Sequence, residues 1–289
     1  MSFRYIDIHS HVNFVAFDAD REATMTRALD AGVAIINVGT QKDTSMKAVE
    51  LTELYKQGVY AIVGLHPVHT SKSFHDEKEL GDGGKEFTSR GELFADSNYL
   101  ELAKHPKVVG IGECGLDYYH MNNEGWNMEQ KRQEEAFRKQ IELAISVKKP
   151  LMLHIRNGSG KFAYLDAYHI LNSYFSIHTS APRGNLHFFA GSIEEAKPFL
   201  EIGFTFSFTG VITFARDYEE IVRYLPLDHI LSETDSPYVT PAPYRGRRNE
   251  PLYVREVVKS IALIRGEDEE MVRAQIIKNA ERLFGISLS

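Results

Sequence analysis

Eight short apolar segments, separated along the chain by longer amphipathic ones, constrain the fold more than any other feature of this sequence. The apolar segments are rich in Ile, Val and Phe, and Gly or Pro bounds many of them, which is typical of buried β-strands. They cover residues 4–11, 33–39, 59–66, 108–114, 150–155, 185–190, 203–209 and 229–234.

The segments between these strands have the periodicity of helices. Residues 129–149 place Phe137, Ile141, Ala144 and Ile145 on one face, with charged and amide side chains opposite. Similar patterns cover residues 20–31, 43–57, 161–175, 192–201, 218–225 and 252–265. Strands that alternate with helices in this way pair in parallel through right-handed crossovers.

Eight such units within 289 residues predict an α/β fold, a (β/α)8 TIM barrel formed by a single domain over residues 1–289. A doubly wound open sheet is the alternative, and the lack of a GxGxxG turn after the first strand disfavours it. An extra C-terminal helix is expected at 268–284. Residues 68–98, rich in charge, are predicted to form an inserted loop or lid after the third strand, with an ordinary solvated loop as the alternative.

The composition limits the partners and the compartment. At 43% hydrophobic and 25% charged residues, the chain is an ordinary globular protein, and its net charge of −7 gives no overall attraction for nucleic acid. A polyanion would therefore need local cations or metal ions. The single cysteine, Cys114, favours a reducing compartment, and neither a signal peptide nor a membrane-spanning run is visible. We expect a cytoplasmic monomer or weak oligomer with no obligate protein partner.

Side chains that bind metals in proteins recur at the ends of the predicted strands. They are His9 and His11 on the first strand, His66 at the end of the third, Glu113 at the end of the fourth, His154 at the end of the fifth, His187 on the sixth and Asp235 after the eighth. In a TIM barrel these strand ends converge on one rim, so the side chains should share a small volume. Burying so many imidazoles and carboxylates is costly without a divalent cation.

Individual residues of this set allow more than one interpretation. His9 and His11 are two apart on a strand, so both can reach one ion, although paired histidines are also common in ordinary cores. Glu113 lies between glycines at the end of an apolar strand, which favours a carboxylate that bridges two ions. Asp235 is predicted to bind metal and accept a proton, with a turn as the alternative. Asp117 either caps the next segment or orients a ligand.

Residues near the predicted rim are candidates for substrate contacts. Arg156, two residues after His154, is placed to bind an anionic group, and His66 either contacts substrate or supports the site. The basic run contains Arg245, Arg247 and Arg248. These arginines either contact a DNA backbone or belong to a surface loop with scattered ion pairs. Three tyrosines either stack on bases or pack; they are Tyr118, Tyr119 and Tyr238.

Together these motifs resemble the TatD family of metal-dependent deoxyribonucleases, within the amidohydrolase-like TIM-barrel hydrolases. The resemblance is carried by DIHSH (7–11), GLHP (64–67), GIGECGLDYY (110–119), LHIR (153–156), HFFAGS (187–192), TDSPY (234–238) and RGRRNEP (245–251). The family often has HCFSG where this chain has HFFAG, which leaves His187 in place.

The resemblance implies a role for each matched residue. It implies that His9, His11 and Asp235 hold one metal, that His154 and His187 hold a second, and that Glu113 bridges the two. It also implies that His66 and Arg156 lie beside the substrate. Arg248, Asn249 and Glu250 would shape the rim or contact phosphate. The catalytic residues would be Asp235 and Glu113.

The predicted function is a divalent-metal-dependent hydrolase, a deoxyribonuclease that cleaves DNA phosphodiester bonds with one or two ions of Mg²⁺, Zn²⁺ or Mn²⁺. One alternative is hydrolysis of a small phosphoester, ester or amide. A cyclic-amide hydrolase would be favoured by a bridging carbamylated lysine, whereas this chain has Glu113 at that position. The other alternative is a metal-binding protein without catalytic activity.

Overall fold

The computed structural model of the chain describes residues 3–72, 74–75, 87–88, 91–121 and 126–288. The strands are β1 Tyr5–Ser10, β2 Val33–Val38, β3 Val59–Val63, β4 Phe74–His75, β5 Phe87–Thr88, β6 Val108–Asp117, β7 Leu151–Arg156, β8 Gly184–Leu186, β9 Thr205–Phe208 and β10 Ile230–Ser232. The α-helices are α1 Arg21–Asp30, α2 Lys42–Glu53, α3 Asp96–Lys104, α4 Trp126–Val147, α5 Ala163–Phe175, α6 Ile193–Glu201, α7 Glu219–Tyr224, α8 Val254–Arg265 and α9 Glu269–Phe284.

Eight strands form one parallel sheet in the order β1-β2-β3-β6-β7-β8-β9-β10, with helices between them. Two backbone hydrogen bonds join its first and last strands: Asp235 N–H donates to the His9 carbonyl over 2.9 Å, and His11 N–H donates to the Ser236 carbonyl over 2.8 Å. The sheet is therefore a nearly closed barrel, and the predicted (β/α)8 fold is confirmed.

The sequence explains where several helices begin and end. Ser192 and Glu195 form a reciprocal capping box at the start of α6, just after the sixth strand of the barrel. Helix α8 ends at Gly266, whose φ of 67° lies in the left-handed region that glycine adopts without a steric penalty. Apolar side chains from strands and helices then form a continuous buried core.

All eight barrel strands end one to four residues away from the predicted positions, and β3 already ends at Val63 instead of 66. Strand β6 continues to Asp117, beyond the predicted end at 114, whereas β8 ends at Leu186 instead of 190. The early end of β8 has a local cause, because Phe188 has a φ of 45°, which is incompatible with an extended strand.

The predicted insertion is only partly described. Its first residues belong to a 3₁₀ helix at Pro67–Thr70, its last belong to α3, and β4 pairs with β5 in antiparallel fashion between them. Residues 73, 76–86 and 89–90 lie outside the described residues, so the lid remains a prediction. Within the part of the chain that the structure describes, no helix has the length and apolar character needed to cross a membrane.

Candidate metal centre

The side chains predicted to bind metal converge at the carboxyl ends of the barrel strands, around Glu113. This carboxylate is 3% exposed, and its two oxygens face two different groups of side chains. Oε2 faces His9 and His11 from β1 and the loop after it, and Oε1 faces three further imidazoles. One buried carboxylate thus lies between two sets of metal-binding atoms.

The first group contains His9, His11, Glu113 and Asp235. The Nε2 atoms of His9 and His11 are 3.2 Å apart. Glu113 Oε2 lies 3.4 Å from His9 Nε2 and 3.8 Å from His11 Nε2. Asp235 Oδ1 lies 3.4 Å from His11 Nε2 and 3.8 Å from His9 Nε2. These separations fit a tetrahedral shell, in which donors about 2.0–2.1 Å from an ion lie about 3.3–3.4 Å apart.

The chemistry of this group also fits a cation. His11 Nδ1 lies 2.9 Å from the carbonyl oxygen of Val38, so that in the neutral ring Nδ1 carries the proton and Nε2 presents a lone pair. That lone pair faces His9 Nε2 and two carboxylates. A buried arrangement of acceptors alone is repulsive, and a divalent ion among them removes the repulsion.

The second group surrounds Glu113 Oε1. This oxygen lies 2.8 Å from His187 Nε2, 3.1 Å from His154 Nδ1 and 3.2 Å from His66 Nε2. The structure therefore brings together His154 and His187, as the sequence predicts, and adds His66 at a similar distance. Binding atoms of His66, Glu113 and His154 all lie within 4.8 Å of one another, which suits one ion.

Two further buried carboxylates orient the imidazoles of the second group. Asp117 Oδ2 lies 2.8 Å from His154 Nε2, and Asp117 Oδ1 accepts hydrogen bonds from the backbone of Tyr119 and His120, each 3.0 Å long. These contacts are compatible with both roles that the sequence left open for Asp117. Such outer carboxylates fix ring orientation in metal sites.

Glu233 is the second orienting carboxylate, and the sequence analysis did not assign it a role. Its Oε1 lies 3.4 Å from His187 Nδ1 and accepts a 2.5 Å hydrogen bond from Phe188 N–H, while Oε2 accepts a 2.7 Å bond from Ser207 Oγ. The available signal was its spacing, two residues before Asp235 in the same strand end.

Irregularities in the backbone of β1 and β6 set the direction of the side chains at the candidate metal centre. The register of β1 against β2 shifts between Asp7 and Ser10, and that of β6 against β7 shifts between Ile111 and Cys114. Such bulges turn a side chain away from its regular direction and are common beside active sites. Glu113 also needs its glycine neighbour, because a Cβ on Gly112 (φ 150°) would lie 2.4 Å from the Met152 carbonyl oxygen.

The electrostatics follow from burial opposed by opposite charge. Burial lowers the pKa of His9 to about 3 and that of His66 to about 4. Burial alone would raise the pKa of Glu113, but the imidazoles of His66, His187 and His9 hold it well below its usual range. Likewise burial opposes protonation of His187, but Glu113 and Glu233 raise its pKa well above the ordinary value. Glu113 is therefore a stable anion at neutral pH.

The arginine and asparagine predicted to contact substrate from the RGRRNEP run both have protein partners in this structure, and their contact with substrate stays a prediction. Arg248 forms a two-pronged ion pair with Asp20, with distances of 2.8 and 2.7 Å. Asn249 is completely buried, and its Nδ2 donates to the carbonyl oxygens of Thr234 and Tyr238 over 2.9 and 2.6 Å. Both residues thus tie the segment that follows Asp235 to its neighbours.

Arg156, in contrast, lies exposed at the end of β7, and its guanidinium carbon is 3.7 Å from the centroid of the Tyr119 ring. Of the three tyrosines, Tyr118 is buried, Tyr238 is half-buried and Tyr119 is 56% exposed. Only Tyr119 thus presents a large ring surface to solvent.

Comparison with known proteins agrees with this geometry. The family model described as TatD related DNase matches residues 6–285. The chain is 35% identical over 285 residues to the uncharacterized metal-dependent hydrolase YabD of Bacillus subtilis (strain 168), covering 97% of this chain and 99% of that protein. It is 31% identical over 288 residues to the 3'-5' ssDNA/RNA exonuclease TatD of Pantoea ananatis (strain LMG 20103), covering 97% and 99%. It superposes on YJJV, a TatD homolog from Escherichia coli K12, with a TM-score of 0.78 and 27% identity, covering 99% of this chain and 100% of that one. The chain therefore belongs to the TatD family of metal-dependent hydrolases.

Proposed function

We propose that this protein is a nuclease that hydrolyses DNA phosphodiester bonds with two divalent ions held on either side of Glu113. The observation that carries the proposal is that the two carboxylate oxygens of Glu113 face different groups of side chains. Oε2 faces the first donor group and Oε1 faces the second. A shared carboxylate between two sets of donors is the arrangement of two-metal hydrolytic sites. The names of the relatives add support, because one of them is a 3'-5' ssDNA/RNA exonuclease.

The residues divide the work as follows. His9, His11 and Asp235 would hold one ion, His154 and His187 would hold the other with Glu113 shared between the two groups, and His66 would complete the second group or face substrate. Bound divalent ions supply Lewis acidity for the phosphoryl oxygens and lower the pKa of water towards ~7. Asp235, 9% exposed at the mouth of the site, accepts the proton of the attacking water. Arg156 at the rim neutralises charge that develops on the phosphoryl group.

The donor set also bears on which ion is bound. Imidazole nitrogens outnumber carboxylate oxygens around Glu113, and mixed nitrogen and oxygen ligands suit Zn²⁺ or Mn²⁺ better than Mg²⁺. We therefore propose that Zn²⁺ or Mn²⁺ binds more tightly than Mg²⁺ to the metal-stripped protein.

The test is a metal-by-substrate screen on metal-stripped protein, with Mg²⁺, Mn²⁺ and Zn²⁺ against single-stranded DNA, RNA, a small phosphodiester and an amide. We expect cleavage of DNA that chelation abolishes, and at least a 100-fold loss of kcat in Asp235→Asn because the proton acceptor is removed. Metal content of that variant is measured in parallel. Robust cleavage by Asp235→Asn with its metals retained contradicts the role of Asp235, and turnover of the amide alone contradicts the nuclease proposal.

A further inference from the structure

We propose that Tyr119 and Arg156 form a stacking platform for a nucleobase next to the phosphodiester bound at the metal centre. The inference rests on the nuclease function proposed above and adds a recognition site to it. The platform would bind the flat face of a base through the Tyr119 ring and the Arg156 guanidinium, and so favours unpaired bases over paired ones.

The two side chains already lie against each other at the rim. The guanidinium carbon of Arg156 is 3.7 Å from the Tyr119 ring centroid, and Tyr119 is 56% exposed although its ring is large. Both planar groups stack on nucleobases in single-stranded complexes. Within the described residues, Arg156 has no carboxylate partner at ion-pair distance, so its charge is available to a substrate anion.

Neighbouring strands place this pair directly beyond the metal centre. Arg156 follows His154 by two residues on β7, and Tyr119 follows Asp117 by two residues at the end of β6. Asp117 and Arg156 are paired across the two strands, and Asp117 is bonded to His154. Two residues along a strand span about 6.6 Å. The platform therefore lies about one such step outward from the second donor group, where a base adjoining a bound phosphate would be.

The other two candidate tyrosines expose less of their rings. Tyr118 is 2% exposed, and its hydroxyl donates a 2.8 Å hydrogen bond to Asp166. Tyr238 is half-buried, and burial, with the nearby charges of Asp235 and Glu113, raises the pKa of its hydroxyl. Exposure thus singles out Tyr119 from the three candidates named by the sequence.

The experiment measures binding without cleavage, in the Asp235→Asn background with Mn²⁺ present. A labelled single-stranded oligothymidylate of six nucleotides is titrated by fluorescence anisotropy beside an abasic strand of the same length. We expect Tyr119→Ala to weaken binding of the thymidylate strand by about 5- to 150-fold, as loss of one stacked base does, and to leave the abasic strand unchanged. Tyr119→Phe should keep the affinity, because a phenyl ring still stacks.

The matched control is Tyr224→Ala. Tyr224 is also exposed beneath a cation, with Lys197 Nζ 5.9 Å from its ring, but it ends α7 where the chain leads into β10, away from the rim. Equal affinities for Tyr119→Ala and the unmodified background overturn the platform, as does an equal loss with both strands. If the wild-type protein neither binds nor cleaves any nucleic acid, the nuclease proposal itself fails.

Discussion

The orientation of several imidazoles at the candidate metal centre depends on the group that each ring faces on the side away from Glu113. His11 faces the Val38 carbonyl, His154 faces Asp117 and His187 faces Glu233, so each ring is held with one nitrogen turned towards Glu113 or Asp235. A neutral ring that donates on one side offers a lone pair on the other. On the proposed function, these supporting groups would therefore set how tightly an ion is bound.

Glu233→Gln tests this at a single position. The amide keeps the size of the side chain, but the negative charge beside His187 is lost. We expect the affinity of the second metal ion to fall by about 10- to 100-fold, as for other residues that orient ligands. Calorimetric titration of metal-stripped protein with Mn²⁺ measures this change.

Glu194→Gln, an exposed glutamate on α6, is the control and should bind like wild type. Two ions held with unchanged affinity in Glu233→Gln contradict the positioning role.

The sequence was sufficient to predict which side chains meet, but not how their neighbours support them. Strand-end position predicted that His9, Glu113 and Asp235 lie together, because parallel strands of a barrel must bring their ends together. The contacts of Glu233 with His187 and of Asn249 with the loop were not predicted, since the direction of a side chain after a strand depends on how the following loop folds back.

Among the elements, the loop after β10 has the most demanding conformation. Asp235 and Val239 have φ values of 54° and 53°, which only tertiary contacts can hold in non-glycine residues. Asn249 provides two of these contacts, and Arg27 pairs with Glu250 over 2.6 Å to join the loop to α1. The loop is thus fixed at both a buried and a half-exposed point.

We expect Asn249→Ala to lower the free energy of unfolding by about 2–4 kcal/mol, because two buried carbonyl groups lose their donor. Hydrolytic activity should fall with it, since Asp235 lies on the released loop. Urea denaturation and rate measurements on the same samples test both effects. Asn98→Ala removes a surface contact with Lys42 and should change neither quantity appreciably; a fully stable and active Asn249→Ala protein would show that the loop holds itself.

The end of an element was predictable where the hydrophobic periodicity determines it. It was not predictable where a hydrogen bond from a distant side chain determines it. The helix expected at 268–284 is observed at Glu269–Phe284, between an Asp268 cap and Gly285. The end of β8 was misjudged, because HFFAG has an apolar strand-like pattern while Phe188 takes a left-handed conformation under the Glu233 hydrogen bond. Sequence periodicity carries no information on that bond.

For the whole molecule, metal binding and folding should depend on pH in opposite ways. Burial lowers the pKa of a histidine, but adjacent carboxylates overcome it at three positions and raise the pKa; these are His11, His154 and His187. In the metal-free protein, these histidines contribute fully to stability at pH values below the ordinary histidine pKa of ~6.5. This contribution is lost as the pH rises through their raised pKa values in the folded state. Binding an ion instead requires these rings to be neutral, so metal affinity grows with pH.

We therefore expect the melting temperature with saturating Mn²⁺ to exceed that of chelated protein, by a margin that widens from pH 6 to pH 8. Differential scanning calorimetry at several pH values measures the margin. Double substitution of His154 and His187 by Gln should reduce both the margin and its slope. A margin that is independent of pH would contradict proton release from these histidines.

The two backbone bonds that join His9 to Asp235 and His11 to Ser236 have a consequence for biosynthesis. Residues made first and residues made more than two hundred positions later meet at the same candidate metal centre. A nascent polypeptide therefore lacks the complete set of side chains at this centre until its last strand has left the ribosome and docked.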